Sequence, residues 1–86
     1  MNLLDYSPKL VPLLIMRILK KQDGRALSVN EIIELMRGSF HGNKRPDRRS
    51  IYESIRMIYA TGWPIGEHRC GMKRTYYWRK RVETNQ

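Results

Sequence analysis

Asp47-Arg48-Arg49-Ser50-Ile51-Tyr52-Glu53-Ser54-Ile55-Arg56-Met57-Ile58-Tyr59 is the stretch on which the reading of this chain turns. Ile51, Ile55 and Ile58 recur at i, i+4 and i+7, a spacing that lines up one buried face of a helix. Arg48, Arg49, Tyr52, Glu53 and Arg56 fall largely on the opposite face, near the start and middle of the segment. Asp47 is placed to cap the helix, because its carboxylate can accept from the free N–H groups of the first turn. Gly62 can close the other end, where a left-handed residue is wanted.

Working outward toward the N-terminus, 39–46 reads as a turn that contains Gly42-Asn43 and the basic pair Lys44-Arg45. Pro46 enforces an extended approach to Asp47. This turn is longer than the three or four residues of a minimal helix-turn-helix, and two readings are open: it carries contacts of its own, or it is a mobile loop. Before it, Ser28-Val29-Asn30-Glu31 has the form of a capping box. It starts a short helix that buries Ile32, Ile33 and Met36, leaves Leu35 peripheral and stops at Gly38. Arg25-Ala26-Leu27 is a candidate strand leading into that cap. A first helix starts at Ser7-Pro8 or Val11-Pro12, since proline suits the first helical position, and ends at Gln22-Asp23-Gly24. Its stripe is Leu14, Ile15, Ile18 and Leu19. In the other direction, the aromatic and β-branched flanks of 63–79 around a central glycine predict a β-hairpin with a basic tip. Tyr76 and Trp78 share one side of its second strand, Thr75 and Tyr77 the other. Trp63 and Trp78 read as core residues, with Trp63 sealing the hairpin onto the third helix.

The expected architecture is α+β: a three-helix helix-turn-helix core followed by a two-stranded wing. With 86 residues the chain has room for one small domain. We place it at 8–80, between an N-terminal arm, 1–7, and a loose tail, 81–86.

The formal net charge is +9, and its excess is unevenly placed. Residues 1–36 hold five basic and four acidic side chains, a net +1, whereas 37–86 hold twelve basic and four acidic, a net +8. Such an imbalance points to a polyanion, with nucleic acid ahead of an anionic membrane. The single cysteine, Cys70, excludes an intramolecular disulfide and fits a reducing compartment. The apolar run 10–16 is too short to span a bilayer and lacks the features of a signal peptide. No membrane association is expected, and the localisation expected is cytoplasmic, on the nucleoid through DNA.

The order of elements, helix, short strand, helix, turn, basic helix and two-stranded wing, resembles the winged helix-turn-helix. Asp47 to Arg56 is similar to the third helix of bacterial winged-helix regulators of the biotin-repressor and deoxyribose-repressor type. There a small cap, two basic residues, Ser or Thr, an aliphatic residue and Tyr commonly open the helix. Thr61-Gly62-Trp63-Pro64-Ile65 resembles the entry to their wing, and Arg69-Cys70-Gly71-Met72-Lys73-Arg74-Thr75-Tyr76 resembles their basic wing tip. The resemblance implies binding to double-stranded DNA and, most directly, sequence-specific transcriptional regulation. It implies that Arg48, Arg49, Ser50 and Tyr52 face the major groove or its flanking phosphates. It also implies that Arg69, Lys73 and Arg74 lie along backbone or minor groove. We expect no effector-binding or catalytic domain after the wing, and a ligand-sensing role is not carried over.

Chemistry supports the same residues. An arginine fork pairs bidentately with guanine O6 and N7 or clamps a phosphate. Arg48 and Arg49 are the first candidates, Arg56 lies further along the helix, and Lys44 and Arg45 add charge before it. The competing reading is a solvated charged helix face, and for Tyr52 a half-buried ring that props the helix. The wing cations could equally serve to keep a sheet edge from pairing. His41, His68 and Cys70 do not have the number or spacing of a zinc site, and no pair of groups suits nucleophilic or acid–base catalysis. We therefore expect no metal, no cofactor and no enzymatic activity. The alternatives are a recombination or replication accessory without strong sequence preference, and a protein-interaction module. A homodimer would have to use the first helix, the arm or the wing.

Overall fold

The computed structural model describes residues 3–79. The expected tail, 81–86, lies outside the described residues, as do Lys80 and the first two residues of the arm. Three helices, α1 (Val11–Lys21), α2 (Val29–Met36) and α3 (Arg48–Ala60), are joined by a three-stranded antiparallel sheet of β1 (Leu27–Ser28), β2 (Ile65–Cys70) and β3 (Lys73–Trp78). The strand order is β1-β3-β2. The fold is a winged helix of the α+β class. Its wing is the β2–β3 hairpin, and β1 adds a third, two-residue strand to it.

Both candidate starts of the first helix are used. Ser7 precedes a 3-10 turn at Pro8–Leu10, which runs directly into α1 with Pro12 in its first turn. Proline is tolerated at both places because the first N–H groups of a helix have no internal partner. The buried stripe of α1 is Val11, Ile15 and Leu19, while Leu14 and Ile18 flank it half-buried. Chain reversal at its end uses positive φ at Asp23 (54°) and Gly24 (91°). The capping box is formed: the Glu31 N–H donates to Ser28 Oγ at 3.2 Å, and the Ser28 N–H donates to Glu31 Oε1 at 2.8 Å. The strand before it is shifted from the expected 25–27 to Leu27–Ser28, so Ser28 both ends β1 and caps α2. Leu27 pairs with Tyr76 and Ser28 with Thr75, which ties the helical half to the wing.

α3 packs its isoleucines against α1 and α2. Ile51, Ile55, Ile58 and Ser54 are buried. Its end is closed by Thr61, whose Oγ1 donates to the carbonyls of Met57 and Ile58 at 3.0 Å, and by Gly62 at φ 91°. Across the hairpin, Tyr76 is buried among the helices and Trp78 packs half-buried beside it.

One expectation needs correction, and one open reading is decided. Trp63 is 48% exposed and does not seal the core. Ile65, two residues later, takes the inward place, and the Trp63 ring lies on the surface against Trp78 with centroids 6.3 Å apart. The segment 39–46 carries contacts of its own. Phe40 and Pro46 are fully buried. Phe40 forms a parallel bridge with Leu4, through Leu4 N–H to the Ser39 carbonyl and His41 N–H to the Leu4 carbonyl, both 2.9 Å. The Tyr6 ring meets the Phe40 ring edge-on at 5.1 Å. The arm is thus docked along the turn.

Candidate nucleic-acid interface

The first turn of α3 is fixed before any side chain on it is placed. The Ser50 N–H donates to the Asp47 carboxylate at 2.8 Å. That bond holds the Asp47 carboxyl below its ordinary pKa, with the Arg49 charge adding to the effect. The two arginines that follow diverge. Arg48 turns toward α2 and donates through Nη1 to Asn30 Oδ1 and through Nη2 to the Tyr52 hydroxyl at 3.2 Å. Its guanidinium carbon stands 5.8 Å from the centroid of the Tyr52 ring. Arg49 stays in solvent, 87% exposed at its side chain, and pairs with Glu53 four residues on (Nε to Oε2, 3.3 Å). Such an exposed pair costs little to separate.

Tyr52 takes the propping role that the sequence left open for it and adds a bond that the sequence did not suggest. Its ring is half-buried against the core, and its hydroxyl accepts from Arg48. Ser50 is half-buried, with its backbone N–H committed to the cap. Arg56 is exposed one turn beyond Tyr52.

In the wing, Gly71 and Met72 form a two-residue tip between the paired residues Cys70 and Lys73. Gly71 has φ 64°, the backbone a hairpin turn demands at its first central position. Arg69 and Arg74 face each other across the strands and share one carboxylate: Glu67 Oε2 is 3.8 Å from Arg69 Nη2 and 3.7 Å from Arg74 Nε. Lys73 makes no ion pair among the described residues.

Between the wing tip and the starts of α2 and α3 lies an open cleft lined by Asn30, Arg48, Tyr52, Met72, Lys73 and Arg74. A second groove runs along the far half of α3 and is lined by Arg56, Tyr59, Glu67, Arg74, Tyr77 and Arg79. Arg74 borders both. Together the two surfaces carry Arg48, Arg56, Lys73, Arg74 and Arg79, with the Glu67 carboxylate among them; cations grouped in this way can neutralise phosphates.

Of the ten residues singled out from sequence, the first cleft unites Arg48, Tyr52, Lys73 and Arg74. Arg56 belongs to the second groove. Arg49 and Ser50 share the first turn of α3, and Arg69 stands opposite Arg74 in the wing. Lys44 and Arg45 line neither surface, and Arg45 points back to α2, its Nη1 at 3.2 Å from Glu34 Oε2, on a carboxylate that Arg37 also pairs. The sequence reading missed Asn30, Met72 and Arg79. Asn30 could have been found from topology alone, because a helix-turn-helix brings the first turn of its second helix beside that of its third. Among the described residues no cluster of three His, Cys, Asp or Glu could hold a metal ion. No described helix is long and apolar enough to cross a membrane.

No family model matches this chain. No curated relative matches it either. A solved chain from a structural account of the DNA recognition and protein interaction domains of HOP2, and of its homologous DNA pairing properties, is similar in shape. The TM-score is 0.63 and the sequence identity 20%, over 80% of this chain and 98% of that one. At that identity the likeness bears on the fold, and it agrees with the winged helix built above.

Proposed function

We propose that this chain binds double-stranded DNA, with the N-terminal half of α3 in the major groove and the wing on the adjacent backbone or minor groove. The observation that carries the reading is the cleft that joins Arg48 and Tyr52 of α3 to Lys73 and Arg74 of the wing. The net +8 of residues 37–86 supplies the counter-charge that a duplex needs. Arg48 meets the groove pre-oriented by Asn30 and Tyr52, so little rotamer freedom is lost on contact. Pre-orientation of a forked donor favours base reading over phosphate clamping, and on that ground the chain acts as a sequence-specific transcriptional regulator. Kinship with biotin-repressor and deoxyribose-repressor regulators is part of this proposal and rests on the residues of α3 and the wing. The protein acts by binding and not by catalysis, and its place in the cell is with the DNA.

A second reading has its own support. The HOP2 domain of similar shape is described through DNA recognition, protein interaction and homologous DNA pairing. A recombination accessory with weak sequence preference would use the same cleft. Selection of bound duplexes from a random library separates the two: an enriched motif is expected, and its absence with tight, salt-sensitive binding would replace the regulator by the accessory. Absence of duplex binding altogether, with a tight acidic protein partner instead, would overturn both.

A further inference from the structure

The wing tip carries a side chain that neither the fold nor the cationic cleft explains. Met72 is 103% exposed, the most exposed large hydrophobic residue described. The turn requires glycine at 71 and nothing apolar at 72. A lone exposed apolar residue is ordinary in itself. What sets this one apart is its surroundings: it stands at the end of a two-residue tip, with Lys73 next to it and Arg69 and Arg74 facing each other one pair behind. It also lines the cleft that holds Arg48 and Tyr52.

We propose that Met72 is an apolar wedge, inserted from the minor groove into a base step of the bound duplex. The inference rests on the duplex binding proposed above and adds a mode of contact to it. The minor groove is only about 6 Å wide, so a two-stranded ribbon with strands about 4.8 Å apart enters by its tip alone. Cations one pair behind that tip stand where the flanking phosphates pass. An unbranched thioether is flexible and polarisable, which suits it to the irregular gap of a partly unstacked step. Apolar wedges of this kind kink DNA toward the major groove. Toward the major groove lies α3, so a kink brings more backbone to Arg56 and Arg79 in the second groove. The step that yields most easily is pyrimidine–purine, TA or CA, and an A-tract resists.

The test uses the full chain and duplexes of about 25 base pairs, end-labelled for energy transfer, with either a central TA step or an A-tract. It is run at low salt, where binding needs no target sequence. The wild type should bend the TA duplex and leave the A-tract straight. Met72→Ala, a change at a fully exposed site, should bind the TA duplex about fivefold more weakly and leave it straight, with A-tract binding unchanged. Met72→Lys should bind both duplexes at least as tightly as wild type and bend neither. Peroxide footprinting is an independent readout: Met72 should be shielded from sulfoxidation in the TA complex, more than Met57 on α3, with buried Met36 slow throughout. A straight wild-type complex overturns the wedge, and so does an equal bend with Met72→Ala or Met72 oxidised at the free rate. Each of these leaves duplex binding standing. A chain that binds no duplex, with Met72 shielded only by a protein partner, overturns the wedge and the proposed function together.

Discussion

The two basic segments that flank α3 are alike in sequence and opposite in structure. The turn before it, 39–46, buries Phe40 and Pro46, is bridged by Leu4, and gives Arg45 to Glu34 of α2. The wing after it is buried only at its root: beyond Gly66, every residue of β2 is exposed, and so are the first two of β3. Charge means different things in the two places. In the turn an arginine helps fasten the molecule to itself. In the wing Arg69 and Arg74 share Glu67, and Lys73 forms no ion pair among the described residues, on the part of the strands that stands clear of the core.

That contrast can be broken experimentally, most forcefully at Phe40. Removing a fully buried phenylalanine should cost about 3–5 kcal/mol of unfolding free energy. Denaturant titration of Phe40→Ala checks this, and a loss under about 1 kcal/mol would mean that the turn is not an anchor. Arg48→Ala should lower affinity for a selected duplex by about 1–3 kcal/mol and relax preference at one base position. A uniform loss across sequences would instead make Arg48 a phosphate contact. The third comparison sets wing against turn directly. Lys73→Ala with Arg74→Ala should shallow the log–log salt dependence of binding by about two units. Arg45→Ala should change it far less, because Arg45 lines neither surface and reaches back to Glu34 of α2; equal changes would erase the distinction between the two segments.

The smallest effect concerns the cap that starts α3. The Asp47 carboxyl has a lower pKa in the fold than in the unfolded chain, chiefly because the Ser50 N–H donates to it. As pH falls, the unfolded chain takes up the proton first, so the stabilisation is full above the ordinary carboxylate range and is lost as pH drops through the depressed value. Thermal unfolding of wild type and Asp47→Ala should therefore differ most near neutrality and converge as pH falls below the depressed value. A gap that stays constant with pH would assign the difference to something other than the charged cap.

Sequence made the local devices legible and hid the distant ones. The capping box at Ser28, the Asp47 cap, the isoleucine face of α3 and the alternation of β3 all lie within a few residues of their partners, where spacing carries the information. Phe40 escaped notice because its ring partner, Tyr6, and its bridge partner, Leu4, lie far up the chain in a segment with no periodicity. Trp63 was misplaced for a related reason: composition said core, but Ile65 was the better fit for the inward position. The candidate site was half legible. Residue type revealed the cations, whereas grouping Lys73 and Arg74 with Arg48 requires the wing to be brought to α3 in space.

The bridge between Leu4 and Phe40 has a practical consequence for anyone who trims or tags this protein. Its first residues look expendable, since among the described residues no helix or long strand begins until Pro8. Yet a version that starts at residue 8 would strip the cover from a buried phenylalanine just upstream of α3 and expose a fresh sticky surface there. Poor solubility in such a shortened version would then be an artefact of where it was cut, and an affinity handle belongs ahead of an intact residue 3.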